Sequence, residues 1–226
     1  MKKIFPKIAP SILAANPLNL ERDAKEAEKN GASRISVDVM DGHFVPDITF
    51  GPSVVSNLKK IIDIDIEVHL MVDNPELQSK SFIDAGADVI TFHFESTKDS
   101  EDLIRYIKQR QIRVGIAIKP ETQINDIKGY LSEIDEITVM TVVPGKGGQS
   151  LIKTCLDKVK ELIKIREDHG LKFLIQIDGG VKKENICSVF EIGADIAVVG
   201  TAIFNESNNI QYNMKSLFNL FEITEL

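Results

Sequence analysis

Cysteine is scarce in this chain. The only two in 226 residues, Cys155 and Cys187, both fall within helical patterns. That excludes a disulfide framework and predicts reduced thiols packed in a core. Basic clusters are missing as well. The net charge is −7, and no run of Lys and Arg is dense enough for a nucleic-acid footprint, so no nucleic-acid partner is expected. An acidic protein can still bind an anion locally through a Gly-rich loop. No apolar run approaches membrane-spanning length, so no membrane partner is expected. Met1-Lys2-Lys3-Ile4-Phe5 has the start of a signal-peptide pattern, but Pro6, Lys7 and Pro10 break it. The expectation is a short tail before a first strand, in a cytoplasmic protein. Linkers, low-complexity segments and a second domain are not visible either. What remains, 43% hydrophobic and 27% charged, fits one domain over residues 1–226, in the size range of a single α/β barrel.

The chain repeats weakly. Gly31-Ala32-Ser33, Gly86-Ala87-Asp88 and Gly193-Ala194-Asp195 each follow a helical pattern and precede an apolar strand. Their glycines stand 55 and 107 residues apart, close to two and four strand-plus-helix units of roughly 27 residues. Eight such units make a (β/α)8 TIM barrel, of the α/β class. The strands read as Ile8–Leu13, Arg34–Met40, Ile64–Val72, Val89–Phe94, Arg113–Ile118, Glu136–Val142, Lys172–Ile177 and Ile196–Val199. Asn16 is read as capping a helix with Pro17 at its first position, and Asn74-Pro75 as opening the helix after strand three. A helix from Ser150 to Asp168 carries an apolar stripe and ends at Gly170. A last helix runs from about Ile210 to Phe221.

In this architecture the polar residues at the C-terminal ends of strands line the site. Here they are Ser11, Asp38, His69, His93, Lys119, Thr141, Asp178 and Thr201. Within Ser36-Val37-Asp38-Val39-Met40, strand alternation puts Ser36, Asp38 and Met40 inside the barrel and turns Val37 and Val39 toward the helices. Asp38 and Asp178 end strands two and seven, on different walls of one mouth. Two opposed carboxylates suit removal of a proton from one face of a carbon and delivery of another proton to the opposite face. Asp41 is read as a turn residue. His69, converging with both carboxylates, is a candidate metal ligand, while His93 and His43 read as packing or substrate-facing residues. Three Gly-rich turns follow late strands: Gly145-Lys146-Gly147-Gly148, Gly179-Gly180 and Gly200-Thr201. Their exposed N–H groups predict a phosphorylated substrate. Met40, Met71 and Met140 fall at inward positions, where they can form a soft, water-poor wall around a reacting carbon.

These residues resemble the ribulose-phosphate 3-epimerase family over essentially the whole chain. The matching motifs are Ile8-Ala9-Pro10-Ser11, Val37-Asp38-Val39-Met40-Asp41-Gly42-His43, Val68-His69-Leu70-Met71, Met140-Thr141, Pro144-Gly145, Ile177-Asp178-Gly179-Gly180 and Gly200-Thr201. The resemblance implies a ribulose-phosphate-binding barrel that epimerises a ketose phosphate at C3. Asp38 and Asp178 would be the acid/base pair, and with His69 would ligate one divalent metal ion (Zn, Fe, Mn or Mg). Ser11 would touch the substrate, the Gly loops would hold its phosphate, and the chain would form a homo-oligomer.

Three departures from the family stand out. Ser36 replaces a metal-binding His, which predicts a weakened metal site. Gln176 replaces a Glu and is read as a matched change, through the support of the metal's ligands. Lys146 replaces an aromatic residue at a loop tip. They leave open an epimerase for another ketose phosphate, such as allulose 6-phosphate, or a sugar-phosphate-binding pseudoenzyme.

Overall fold

The computed structural model describes residues 6–222, so the leading segment Met1–Phe5 lies outside the described residues. Eight strands are present: β1 Lys7–Pro10, β2 Arg34–Met40, β3 Asp65–Met71, β4 Val89–His93, β5 Arg113–Ile118, β6 Glu136–Met140, β7 Leu174–Asp178 and β8 Ile196–Val199. The helices between and after them are α1 Leu20–Lys29, α2 Pro52–Leu58, α3 Pro75–Asp84, α4 Ser100–Gln109, α5 Ile124–Ile127, α6 Leu156–Asp168, α7 Ile186–Glu191 and α8 Ile210–Glu222. The strands neighbour one another in the order β1-β8-β7-β6-β5-β4-β3-β2, with every ladder parallel. A lone bridge between Ser11 and Ser36 joins β1 to β2, backed by the N–H and Oγ of Ser33, both donating to the Ile8 carbonyl at 2.9 Å. The result is a (β/α)8 barrel. Gly31, Gly86 and Gly193 close the stretches before β2, β4 and β8, which explains a spacing of two units and then four.

Strand alternation sorts the interior. Ile35, Val37 and Val39 join the large apolar layer under the helices, as expected of strands buried on both faces. Several expected boundaries move, and four of them have a clear cause. β1 stops at Pro10, because Ser11 accepts from Leu13 N–H and a single 3₁₀ turn follows over Ile12–Ala14. Asn16 does not cap α1: its Oδ1 takes the Leu18 N–H at 3.0 Å in a local turn, and α1 starts four residues later. Residues 150–152 stay extended because Ile152 N–H donates to the Thr141 carbonyl at 2.8 Å, so α6 begins at Leu156. β7 starts at Leu174, whose N–H donates to the Asp135 carbonyl at 2.8 Å. Asn74 does cap α3, accepting from Leu77 N–H at 3.0 Å. Among the described residues, no helix is long and apolar enough to cross a membrane.

The floor of the barrel is polar. Arg34, Glu67, Thr91, Glu136, Thr138 and Gln176 point inward and are all buried. Arg34 donates to both oxygens of Glu136, at 2.9 and 2.6 Å, and to Gln176 Oε1 at 2.6 Å. Its Nε stands 3.2 Å from Glu67 Oε2, an ion pair without hydrogen-bond alignment. Gln176 Nε2 donates to Glu67 at 2.8 Å and to Thr138 at 3.0 Å. Thr91 also donates to Glu67, at 2.7 Å. Burial opposes charge on Arg34, but Glu67 and Glu136 outweigh it and raise its pKa further. Gln176 therefore belongs to this floor network: its printed bonds run to Arg34, Glu67 and Thr138, and none to the Asp178 carboxylate. That is the reason the matched change read from the sequence does not describe its contacts.

Candidate active site

Above the polar floor, the ends of β2, β3, β6 and β7 bring chemistry together. Asp38 pairs in register with His69, and Met140 with Asp178. Nδ1 of His69 lies 3.1 Å from Asp38 Oδ1 and 3.3 Å from Asp178 Oδ2. Donor atoms of the three residues all lie within 4.8 Å of one another. Ser11 Oγ donates to the other oxygen of Asp38. The Asp38 carboxylate is thereby aimed from both sides. One inward position lower on β2, Ser36 Oγ is buried without a hydrogen-bond partner.

Electrostatics divides the cluster. Burial alone would strip the proton from His69, but hydrogen bonds and attraction from Asp178 and Asp38 raise its pKa to about 10. Asp178 is pushed above the usual carboxylate range by burial. Its hydrogen bond to His69 pulls the other way, and repulsion from Asp38 adds to the rise. A positive charge belongs at the point where the three side chains meet. Two carboxylate oxygens and an imidazole nitrogen converging there are an ordinary donor set for a divalent ion with open positions left for substrate. The three residues fit such an ion.

Over the carboxylates opens a cavity of about 400 Å³. Its walls include Ser11, Asp38, Met40, Met71, Met140, Asp178 and the turns holding Gly145, Lys146, Gly147, Gly148, Gly179, Gly180, Gly200 and Thr201. The three Met side chains are each 3% exposed, and Met40 and Met71 pack with Val45, Leu13 and Phe44. His69 is not on the cavity wall; it sits behind the carboxylates, 1% exposed. Gly179 and Gly180 both have positive φ, 115° and 67°. A Cβ at Gly180 would lie 2.3 Å from Leu151 N, so only glycine fits this turn. Thr141 fixes it by donating to the Gly179 carbonyl at 2.5 Å. Asp41 is a turn residue, its carboxylate accepting the N–H groups of His43, Phe44 and Asp73.

Two residues escape the sequence reading, and a third gains partners it did not show. Lys182 lines the cavity beside the Gly179-Gly180 turn; its signal was the position just past that turn. Glu95 lies two residues beyond the end of β4 and accepts from Lys119 N–H at 2.8 Å and from Thr122 Oγ1. It also stands 3.2 Å from His93 Nδ1. His93 Nε2 in turn meets His69 Nε2 at 3.1 Å. Burial holds Glu95 back from ionising, but these three partners more than offset it and bring its pKa down to about 2. Burial, together with His69 and Lys119, takes His93 down to about 4, against the pull of Glu95. Read from sequence, His93 was a packing or substrate-facing residue, because one of its partners, His69, lies 24 residues back on β3.

Comparison with known proteins agrees with this geometry. The model of the "Ribulose-phosphate 3 epimerase family" matches residues 7–204. The ribulose-phosphate 3-epimerase of Bacillus subtilis (strain 168) is 39% identical over 203 residues, covering 89% of this chain and 94% of the relative. The chloroplastic ribulose-5-phosphate-3-epimerase of Arabidopsis thaliana is 40% identical over 199 residues, 87% of this chain and 71% of the relative. Among solved structures, 3-hexulose-6-phosphate synthase from Salmonella typhimurium superposes with a TM-score of 0.72 at 16% identity, over 96% of this chain and 99% of the other, a likeness of fold. With a match spanning both carboxylate-bearing strands and the glycine turns, the chain belongs to the ribulose-phosphate 3-epimerase family.

Proposed function

We propose that Asp38 and Asp178 interconvert D-ribulose 5-phosphate and D-xylulose 5-phosphate by proton transfer at C3. The chain is an epimerase by family. The observation that carries the residue roles is the convergence of two carboxylates from β2 and β7 on one imidazole nitrogen, under a cavity walled by glycine turns. One carboxylate removes the C3 proton from one face of the substrate. The other, already holding a proton, delivers that proton to the opposite face, while the abstracted one stays on the first carboxylate. The raised pKa of Asp178 suits it to the protonated role, while Ser11 keeps Asp38 oriented. Asp38, His69 and Asp178 would hold one divalent ion, Zn, Fe, Mn or Mg. When bound it polarises the substrate's C2 carbonyl and offsets the charge of the enediolate. Backbone N–H groups of the glycine turns, with Lys146 and Lys182 nearby, receive the phosphate. Met40, Met71 and Met140 keep water from the carbanion face. The same reading includes a cytoplasmic setting and a homo-oligomer. A six-carbon ketose phosphate is the second reading, left open by Ser36 beneath Asp38 and by Lys146 on the cavity wall where the family resemblance implies an aromatic residue.

The test is proton exchange. Metal-stripped and metal-restored protein is incubated with ribulose 5-phosphate in deuterated water, and deuterium at C3 is followed by NMR. Exchange should appear with xylulose 5-phosphate and vanish in Asp38→Asn and Asp178→Asn. No exchange with any divalent ion rejects the five-carbon reading. Equal exchange with and without metal rejects the ion.

A further inference from the structure

Behind the carboxylates a line of hydrogen bonds leaves the site: His69 Nε2 to His93 Nε2 at 3.1 Å, then His93 Nδ1 to Glu95 Oε2 at 3.2 Å. Both rings are buried, at 1% and 0% exposure, and stack with centroids 5.1 Å apart and planes 22° apart. The cavity does not reach His93 or Glu95.

We infer that Glu95 is a positioning residue that acts through His93 to fix the tautomer of His69, leaving Nδ1 of His69 as the nitrogen offered to a divalent cation. The direction of each bond follows from donor counts. Glu95 already receives the fixed backbone N–H of Lys119, at 2.8 Å, and the hydroxyl of Thr122, so it is an acceptor throughout. His93 must then carry its proton on Nδ1 to bond Glu95. A neutral ring protonated at Nδ1 has only a lone pair at Nε2. Nε2 of His93 is therefore the acceptor, and Nε2 of His69 the donor. One proton of His69 is pinned on the side away from the site, and Nδ1 faces Asp38 and Asp178. A carboxylate that orients a ligand histidine through its far nitrogen is a familiar arrangement at metal sites. Here a second imidazole is inserted between them, which lets a residue at the barrel rim set a bond in its interior.

The inference rests on the reading that Asp38, His69 and Asp178 hold the ion, so two measurements are needed. Long-range proton–nitrogen NMR of the ¹⁵N-labelled, metal-free protein reports which ring nitrogens carry protons, and only four histidines are present. His93 should show a protonated Nδ1 and a bare Nε2, and a proton on its Nε2 overturns the relay. The second measurement is Zn²⁺ affinity by calorimetry on Glu95→Gln. Lys119 N–H still demands an oxygen, so the new amide turns its NH₂ toward His93 and reverses every bond in the line. His69 then carries its proton at Nδ1. Zn²⁺ affinity should fall about 10- to 100-fold, with the Asp38, His69 and Asp178 side chains untouched. Affinity within twofold of the unaltered protein overturns the inference. If the unaltered protein binds no Zn²⁺, the ion reading fails while the spectra still decide the relay. The same spectra decide it if Glu95→Gln does not fold.

Discussion

Arg34 on β2 and Glu136 on β6 face each other across the barrel and join through two parallel bonds, at 2.9 and 2.6 Å, although 102 residues separate them. Removing one partner of a buried pair leaves the other charge stranded. Arg34→Met should therefore cost about 3–5 kcal/mol of stability, read by urea denaturation. Adding Glu67→Gln and Glu136→Gln should recover most of it, since no bare carboxylate is left. A loss under about 1 kcal/mol in the single variant would show that the pair does not carry buried charge.

Ser36 Oγ is buried and unpartnered one inward position below Asp38. Ser36→His restores the fourth donor that the family resemblance implies. Divalent-metal affinity should rise by roughly an order of magnitude or more, measured by calorimetry on metal-free protein. Unchanged affinity would place residue 36 outside the ion's reach.

Glycine substitutions should separate turn geometry from simple crowding. A Cβ at Gly179 would come within 2.4 Å of Val142 Cγ2, at a φ of 115°. At Gly147 it would meet nothing within 4 Å. Gly179→Ala should cost about 1–3 kcal/mol and raise KM for the phosphorylated substrate more than it lowers kcat. Gly147→Ala should leave both nearly as they are. Steady-state kinetics beside thermal melts make the comparison, and equal effects at the two sites would reject the phosphate-turn assignment.

Stability of the metal-free protein should peak near pH 6.5. Below that, the unfolded chain protonates His93 while the folded chain resists until about pH 4, so stability falls as pH drops from 6.5 to 4. Above it, His69 keeps its proton in the folded state up to about pH 10. The stabilisation from His69 is complete below 6.5 and is lost as pH rises through 10. Denaturation midpoints across this range test both limbs. His93→Gln should flatten the acid limb and His69→Gln the alkaline one.

The barrel and its carboxylates were legible because both are written locally. Asp38 ends an alternating strand, and Gly179-Gly180 follows Asp178 at once. The floor network was not legible. Arg34 and Glu136 stand at the starts of strands and Glu67 in the first half of one, where a charge in sequence looks solvated, and the partners of Arg34 lie 102 and 142 residues away. Gln176 was noticed only as a departure, so its role was drawn toward Asp178, its neighbour two residues on. Glu95 failed for a related reason: its chemistry is set by Lys119 and Thr122, 24 and 27 residues further along the chain. The displaced start of α1 shows a local competition, in which the Asn16 side chain bonds a turn amide before a helix can recruit it.

The polar floor also acts as a check on how the barrel closes. If β2 slipped by one residue against β3, Arg34 would turn outward into the apolar layer beneath the helices, and Glu67 and Glu136 would be left inside without it. A purely hydrophobic floor would tolerate such an error with modest loss, since one aliphatic side chain replaces another. Here a mispaired barrel carries stranded charges at its centre. Selection among registers is thus made by electrostatics at the bottom of the molecule. It also settles, further up β2 and β7, whether Asp38 and Asp178 face the same point.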